Sequence, residues 1–119
     1  MEMINRVELA GIVGTIDIKQ VEEKKYASLS LVTDYCYMGK DNCPVVETTW
    51  HHVNCFEGKN TCNLSDIKKG TKLHLFGRLR RIRYVNDEGQ QVTDIHILAN
   101  KMEIIDEDNM GWVPQNEIK

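Results

Sequence analysis

Apolar and polar residues alternate with a period of two along most of this chain, the pattern of strands that turn one face inward. Residues 5–18, "NRVELAGIVGTIDI", set Val7, Leu9, Gly11 and Val13 against Ala10, Ile12 and Ile16. Both sets are largely apolar, which predicts a strand covered on both sides for part of its length. Gly11 and Gly14 inside it predict the sharp bending of a barrel corner. Residues 25–34, "KYASLSLVTD", alternate Tyr26, Ser28, Ser30 and Val32 with Ala27, Leu29, Leu31 and Thr33, and the second set is the better core face. Residues 43–56, "CPVVETTWHHVNCF", are β-branched and aromatic, with Pro44 confined to the start where a strand tolerates it.

Residues 71–85, "TKLHLFGRLRRIRYV", predict a fourth strand with Leu73, Leu75, Gly77 and Leu79 on one side. "NDEG" (86–89) predicts a turn. Residues 90–105 predict a fifth strand, with Val92, Asp94, His96 and Leu98 opposing Thr93, Ile95, Ile97 and Ala99. "NLSDIKKG" (63–70) breaks the pattern: Asn63 or Ser65 to cap, Asp66 near the start, Lys68 and Lys69 near the end and Gly70 to stop predict one short helix. An all-β chain of five strands with a short helix between strands 3 and 4 is the order of an OB-fold, a small Greek-key barrel. The expected organisation is one such domain over residues 1–106 and a short acidic extension over 107–119.

Length allows one core without staples, since the chain has 119 residues. No apolar run approaches the roughly 20 residues of a bilayer span, and the start, "MEMINRVELAG", has no apolar block of signal-peptide length. The expected location is cytoplasmic, associated with the nucleoid. Cys36, Cys43, Cys55 and Cys62 form no CxxC and read as reduced cytosolic thiols. His51 and Cys55 share a strand face and with Cys62 are the nearest approach to a metal set; the reading is no metal and no cofactor. His74 and His96 read as packed or surface histidines. No nucleophile–base set, phosphate loop or paired carboxylate is evident, so no enzymatic activity is expected.

Net charge is −3, which by itself argues against a nucleic-acid partner. Its distribution changes that reading. Glu103, Asp106, Glu107, Asp108 and Glu117 crowd the end of the chain against Lys119 alone, leaving the body near neutral. Within the body, Arg78, Arg80, Arg81 and Arg83 lie close together with no acid among them, and Tyr84 follows. Alternation puts Phe76, Arg78, Arg80, Ile82 and Tyr84 on one face. Cations and an aromatic at strand spacing suit phosphates and unpaired bases. The competing reading is a solvated hairpin whose arginines keep an edge strand from pairing.

Trp50 and Phe56 share a strand face with His52 and Asn54 between them. In a barrel one face is outside, and Val53 and Cys55 supply the interior, so Trp50 is expected outside; filling the core is the alternative. "TDYCYMGKDNCP" (33–44) is expected to be a loop that offers Tyr35, Tyr37 and Lys40 to a ligand. The acidic residues at 103–108 read as a solvated strand end or as an internal competitor for the basic groove, and "GWVP" (111–114) as a docking segment or a free end.

On these residues the chain resembles bacterial single-stranded DNA-binding proteins. "NRVELAGIVG" resembles the family's opening strand, "TTWHHVNCFEGK" its Thr-x-Trp-His…Phe-Gly-Lys segment, and "IKKGTKLHLFGRLRRIRYVNDEGQQVTDIHI" its Lys-Gly…Gly-x-Leu-Arg hairpin with an aromatic before the turn. The match covers roughly residues 4–105. The resemblance implies that Tyr37, Trp50, Phe56 and Tyr84 stack bases, two of them tyrosine where better-known members have tryptophan. It also implies that His51 lies at a subunit contact, and that the assembly is a homotetramer. "NMGWVPQNEIK" does not resemble the family's flexible tail with its acidic tip, so recruitment of replication and repair enzymes through such a tip is not expected. "ANKMEIIDEDN" resembles primosomal replication protein N, a short dimeric OB-fold branch.

The expected function is sequence-tolerant binding of single-stranded DNA in replication, repair or recombination. Lys72, Arg78, Arg80, Arg81, Arg83 and Lys59 would neutralise phosphates beside the four aromatics, with Lys25 and Lys40 extending the track. The alternative is a dimeric module acting mainly through protein contacts in a primosome-like assembly.

Overall fold

The computed structural model describes residues 1–105. The acidic extension expected over 107–119, with Trp112, lies outside the described residues. Five strands, β1 (Val7–Val21), β2 (Lys24–Met38), β3 (Pro44–Phe56), β4 (Lys72–Val85) and β5 (Gln91–Ile104), close into a barrel in the order β1-β2-β3-β5-β4. β3 and β5 run parallel and every other neighbour pair is antiparallel. This is the five-stranded OB-fold arrangement read from the sequence.

One strand has to serve two neighbours for the ring to close. β1 pairs with β4 over Val7–Ile12 and with β2 over Ile12–Val21. The handover occurs at Gly11–Gly14. A Cβ on Gly11 would run into the Val32 carbonyl, so only glycine permits that approach. Gly14 is an extra residue between the pairs Val13–Leu31 and Thr15–Ser30. That bulge resets the phase of the strand. Before it the odd positions Val7, Leu9 and Val13 meet the core; after it Ile16, an even position, does so. The apolar residues on both faces of the segment therefore do not mean two covered faces. They belong to one interior face whose phase changes partway, and Ile12 is left exposed.

The interior is filled by Val13, Ala27, Leu29, Leu31, Val53, Cys55, Leu73, Leu75, Ile97, Ala99 and Met102. β2, β4 and β5 each present the face that alternation predicts. Past Ala99 the phase changes again, because Phe76 opposes Lys101 whereas Gly77 opposes Ala99, so Asn100 is bulged out and Met102 turns inward. Gly77 is fixed by the same contact, for a Cβ there would strike the Leu98 carbonyl. β4 and β5 then continue beyond the core, which leaves Leu79 and Ile95 exposed despite their inward phase.

Two expectations about local structure are corrected. The helix expected over 63–70 is a single 3-10 turn, Leu64–Asp66. Asn63 does cap it, its side chain accepting from the Ser65 amide, and Gly70 has a positive φ of 93°. Leu64 and Ile67 are buried, so the segment serves as a plug whose two anchors leave no length for further turns. The expected loop over 33–44 is mostly strand: β2 runs to Met38, β3 resumes at Pro44, and only Lys40–Asn42 turns. Tyr35 and Tyr37 thus sit on a two-stranded ribbon.

Burial pushes the Cys55 thiol up to about 11, and Cys62 nearby adds to the effect. Cys36 and Cys43 are exposed. A thiol reagent at neutral pH is expected to modify Cys36 and Cys43 promptly and Cys55 only as the barrel opens; prompt labelling of a variant that keeps Cys55 alone would show the interior is not sealed. Leu75→Ala empties a fully enclosed position and is expected to cost about 2–5 kcal/mol in denaturant unfolding.

Candidate nucleic-acid interface

Because the ring is closed, the residues not used inside stand on its outer face. On β3 these are Trp50, His52, Asn54 and Phe56. Register places Val32, Ser30, Ser28 and Tyr26 of β2 beside them. The parallel ladder sets Asn54 beside Leu98 of β5. On β4, Arg78, Arg80, Ile82 and Tyr84 oppose Leu98, His96, Asp94 and Val92. The result is one continuous outer surface across four strands, with aromatic rings along β3 and cations along β4.

Trp50 is 59% exposed, Phe56 52% and Tyr84 46%, far from the sealed positions a core role would require. Trp50 and Phe56 each have a support. Trp50 reaches over Gly14 of β1, where a Cβ would run into its six-membered ring. Phe56 leans on Tyr26, with centroids 4.8 Å apart at 55°. Supported rings keep one face free and lose little freedom when a base lands on them.

Between the rings lies a chain of hydrogen bonds. The Asn54 side-chain amide meets His96 Nδ1 at 2.8 Å, and His96 Nε2 meets Asp94 Oδ2 at 3.2 Å. The His52 ring lies 5.4 Å from that of His96. The hydrogen bond from His96, followed by the Ile95 amide, holds the Asp94 carboxyl below the usual carboxylate range. Asn54 is buried, and no buried side-chain polar atom is without a partner among the described residues. A cleft of about 480 Å³ opens beside this chain, walled by Tyr26, Phe56, Arg80 and Ile82 over Asn54 and His96.

Arg78, Arg80, Arg81 and Arg83 are exposed, and none makes an ion pair with a carboxylate among the described residues. Alternation keeps Arg78 and Arg80 with Tyr84 and gives Arg81 and Arg83 the opposite phase, with Leu79 and Ile95, yet Arg81 and Arg83 line the cleft together with Arg80 and Ile82. Lys59 lies in the exposed loop just past Phe56. Lys72 is half-buried at the start of β4, in register with Ile12 and at the far end of the strand from Tyr84.

Tyr37 is 43% exposed but lies on the other face of the β2–β3 ribbon from Trp50. The ladder runs without a shift, pairing Val32 with Trp50 and Tyr37 with Val45, so even positions of both strands share the face of Trp50 and odd positions share the other. Tyr35 and Tyr37 keep each other company there at 6.0 Å. His51 is half-buried on that side as well. Its Nε2 lies 2.9 Å from Thr33 Oγ1, and burial lowers its pKa, which keeps the ring neutral at neutral pH. Sequence reasoning gave no role to Tyr26, Asp94 or His96. The alternation that put Trp50 outside puts Tyr26 there too, whereas the Asn54–His96 contact joins two strands far apart in the chain and has no local signal.

The model of the single-strand binding protein family matches residues 4–105. The chain belongs to that family. Single-stranded DNA-binding protein 1 of Xylella fastidiosa strain 9a5c is 27% identical over 108 residues, covering 88% of this chain and 79% of that protein. The single-stranded DNA-binding protein of strain Temecula1 is 27% identical over 104 residues, covering 86% of this chain but only 63% of that longer protein. Among solved structures, the Plasmodium falciparum protein of this family in complex with single-stranded DNA superposes with a TM-score of 0.72 at 24% identity, over 89% of this chain and 98% of that one. A deletion mutant of the single-stranded DNA-binding protein from Thermus aquaticus gives 0.69 at 15% identity, over 87% and 51%. At those identities the shared feature is the fold, a closed five-stranded barrel of the OB type.

For this family member, Gly14 links the bend of β1 to the seat of Trp50. Gly14→Ala is expected to displace the indole and cost about 1–3 kcal/mol of stability. In a Trp112→Phe background the change reads out as a shift in tryptophan emission; unchanged emission and stability would show that the ring does not rest on β1.

Proposed function

We propose that this chain binds single-stranded DNA with little dependence on sequence, stacking bases on Trp50, Phe56 and Tyr84 while Arg78 and Arg80 hold phosphates beside them. One observation carries the reading: exposed rings and guanidinium groups that make no ion pair among the described residues share one outer face of the barrel. Charge alone would hold a duplex equally well, and rings alone would serve a protein interface; together they suit a strand whose bases are free. The Xylella fastidiosa relatives are single-stranded DNA-binding proteins, and the Plasmodium falciparum neighbour was solved with single-stranded DNA. Binding without chemistry is the role proposed, in replication, repair or recombination.

The remaining candidates have different parts in this proposal. Lys59 extends the track past Phe56. Arg81 and Arg83, which line the cleft beside Arg80, add phosphate contacts there. Tyr37, with Tyr35, stacks a base only if the strand crosses to the other side of the β2–β3 ribbon. Lys72 lies too far along β4 to join the same contact. The homotetramer that the family resemblance implies, with His51 near a subunit contact, is the assembly expected in solution; a dimer by mass would favour the primosome-like alternative.

Each phosphate contact on a single strand contributes about −0.7 to the slope of log affinity against log salt. Arg78→Ala and Arg80→Ala are each expected to flatten the slope by roughly that amount. A slope that stays flat in the unaltered protein would refute phosphate-led binding. Trp50→Ala is expected to lose about 1–3 kcal/mol of affinity for dT oligonucleotides with the slope unchanged. Unaltered affinity would take Trp50 off the platform.

A further inference from the structure

An acidic side chain in the middle of a surface that holds phosphates needs a reason. Asp94 projects from β5 opposite Ile82, one pair removed from the Arg80–His96 pair. Its side chain is 41% exposed, and among the described residues no arginine neutralises it. A phosphate passing over it would be repelled. The sugar–phosphate chain is therefore pushed toward Arg78 and Arg80 on β4, and what faces Asp94 is the edge of a base.

The hydrogen bonds decide which edge. His96 Nδ1 accepts from the Asn54 amide at 2.8 Å, so Nε2 carries the proton it donates to Asp94 Oδ2 at 3.2 Å. Both ring nitrogens are thereby occupied, and the hydrogen bond from Nε2 favours the charged carboxylate of Asp94. Among the described residues Asp94 Oδ1 accepts only from its neighbour, the Ile95 amide, at 3.0 Å. A carboxylate has about four acceptor positions and no donor, so lone pairs remain unused on a side chain that is partly exposed. Asp94 does not itself wall the cleft of about 480 Å³, but it is bonded to His96 and stands opposite Ile82, both of which do, and the cleft between Phe56 and Arg80 has room for a nucleobase whose face meets Phe56 and whose edge reaches toward Asp94.

We propose that this cleft receives one unstacked base and that Asp94, positioned through His96 and Asn54, selects a base bearing an exocyclic amino group, cytosine foremost, over thymine. Cytosine presents its N4 amino group as a donor, and an acidic side chain accepting from it is a known pairing; thymine presents O4, an acceptor that a carboxylate repels. The inference rests on the single-stranded DNA reading above and deepens it. It adds a compositional preference to a surface that otherwise tolerates any sequence.

The test compares affinities for dC and dT oligonucleotides of equal length, at fixed salt and mildly alkaline pH where cytosine is unprotonated, in the unaltered protein and Asp94→Asn. A hydrogen bond to a charged group sets the scale, so the ratio favouring dC is expected to fall by about tenfold in the variant. A second measurement needs no variant: the unaltered protein should lose its preference for dC when the N4 amino groups are removed by using 2-pyrimidinone. Equal ratios in both proteins with binding intact, including a uniform loss on both ligands, would overturn the inference and leave the DNA reading standing, Asp94 then serving only to position His96. Failure of the unaltered protein to bind either oligonucleotide at low salt would overturn both.

Discussion

Everything outside the barrel depends on how β1 closes it. A strand that must pair with β4 at one end and β2 at the other has to bend, and it can do so only where its backbone approaches a neighbour without a Cβ in the way. Gly11 against the Val32 carbonyl and the bulged Gly14 meet that need. Once the ring is shut, the inward places are taken by Leu, Ile, Val, Ala, Cys and Met. The aromatics of β3 are then outside as a matter of geometry. Gly14 also leaves the space that the Trp50 ring occupies, so the bend that closes the barrel seats the ring on its surface.

The platform combines two kinds of interaction with different reach. Guanidinium groups act over a Debye length and lose strength with salt; stacked rings act only at contact and are indifferent to it. In the proposed role, setting both on one face would let a flexible polyanion be drawn in by charge and retained by its bases. The Asn54–His96–Asp94 chain lies where those two zones meet. If the inference holds, its carboxylate opposes phosphate and favours donors, so a local cost in charge would become a means of orienting the strand. A near-neutral body makes such local arrangement matter more, because no large net field masks it.

Much of this was legible in the chain. Five alternating segments, a break between the third and fourth, and glycines in the first specify a small barrel, and the inward sets of β2 and β4 follow from hydrophobicity. Trp50 and Phe56 outside follow from Val53 and Cys55 inside. What was not legible came from pairing. The two bulges, at Gly14 and Asn100, shift phase in ways that a strict period of two conceals. Tyr35 and Tyr37 read as loop because polar residues surround them, yet backbone pairing with β3 carries the strand through them and assigns them to the face away from Trp50. The short helix failed because Leu64 and Ile67 are drawn into the barrel end on either side of one turn.

The sequence by itself determined the elements, the core and the density of cations near an aromatic, since these rest on local alternation and composition, which neighbours in the chain suffice to express. Only the tertiary structure decided which of those residues share a surface. Arg80, His96, His52 and Ser30 come from four strands, and the contacts among them depend on register between segments that lie far apart along the backbone. Register is fixed by closure of the whole ring, so the site exists only when every strand has found its neighbours.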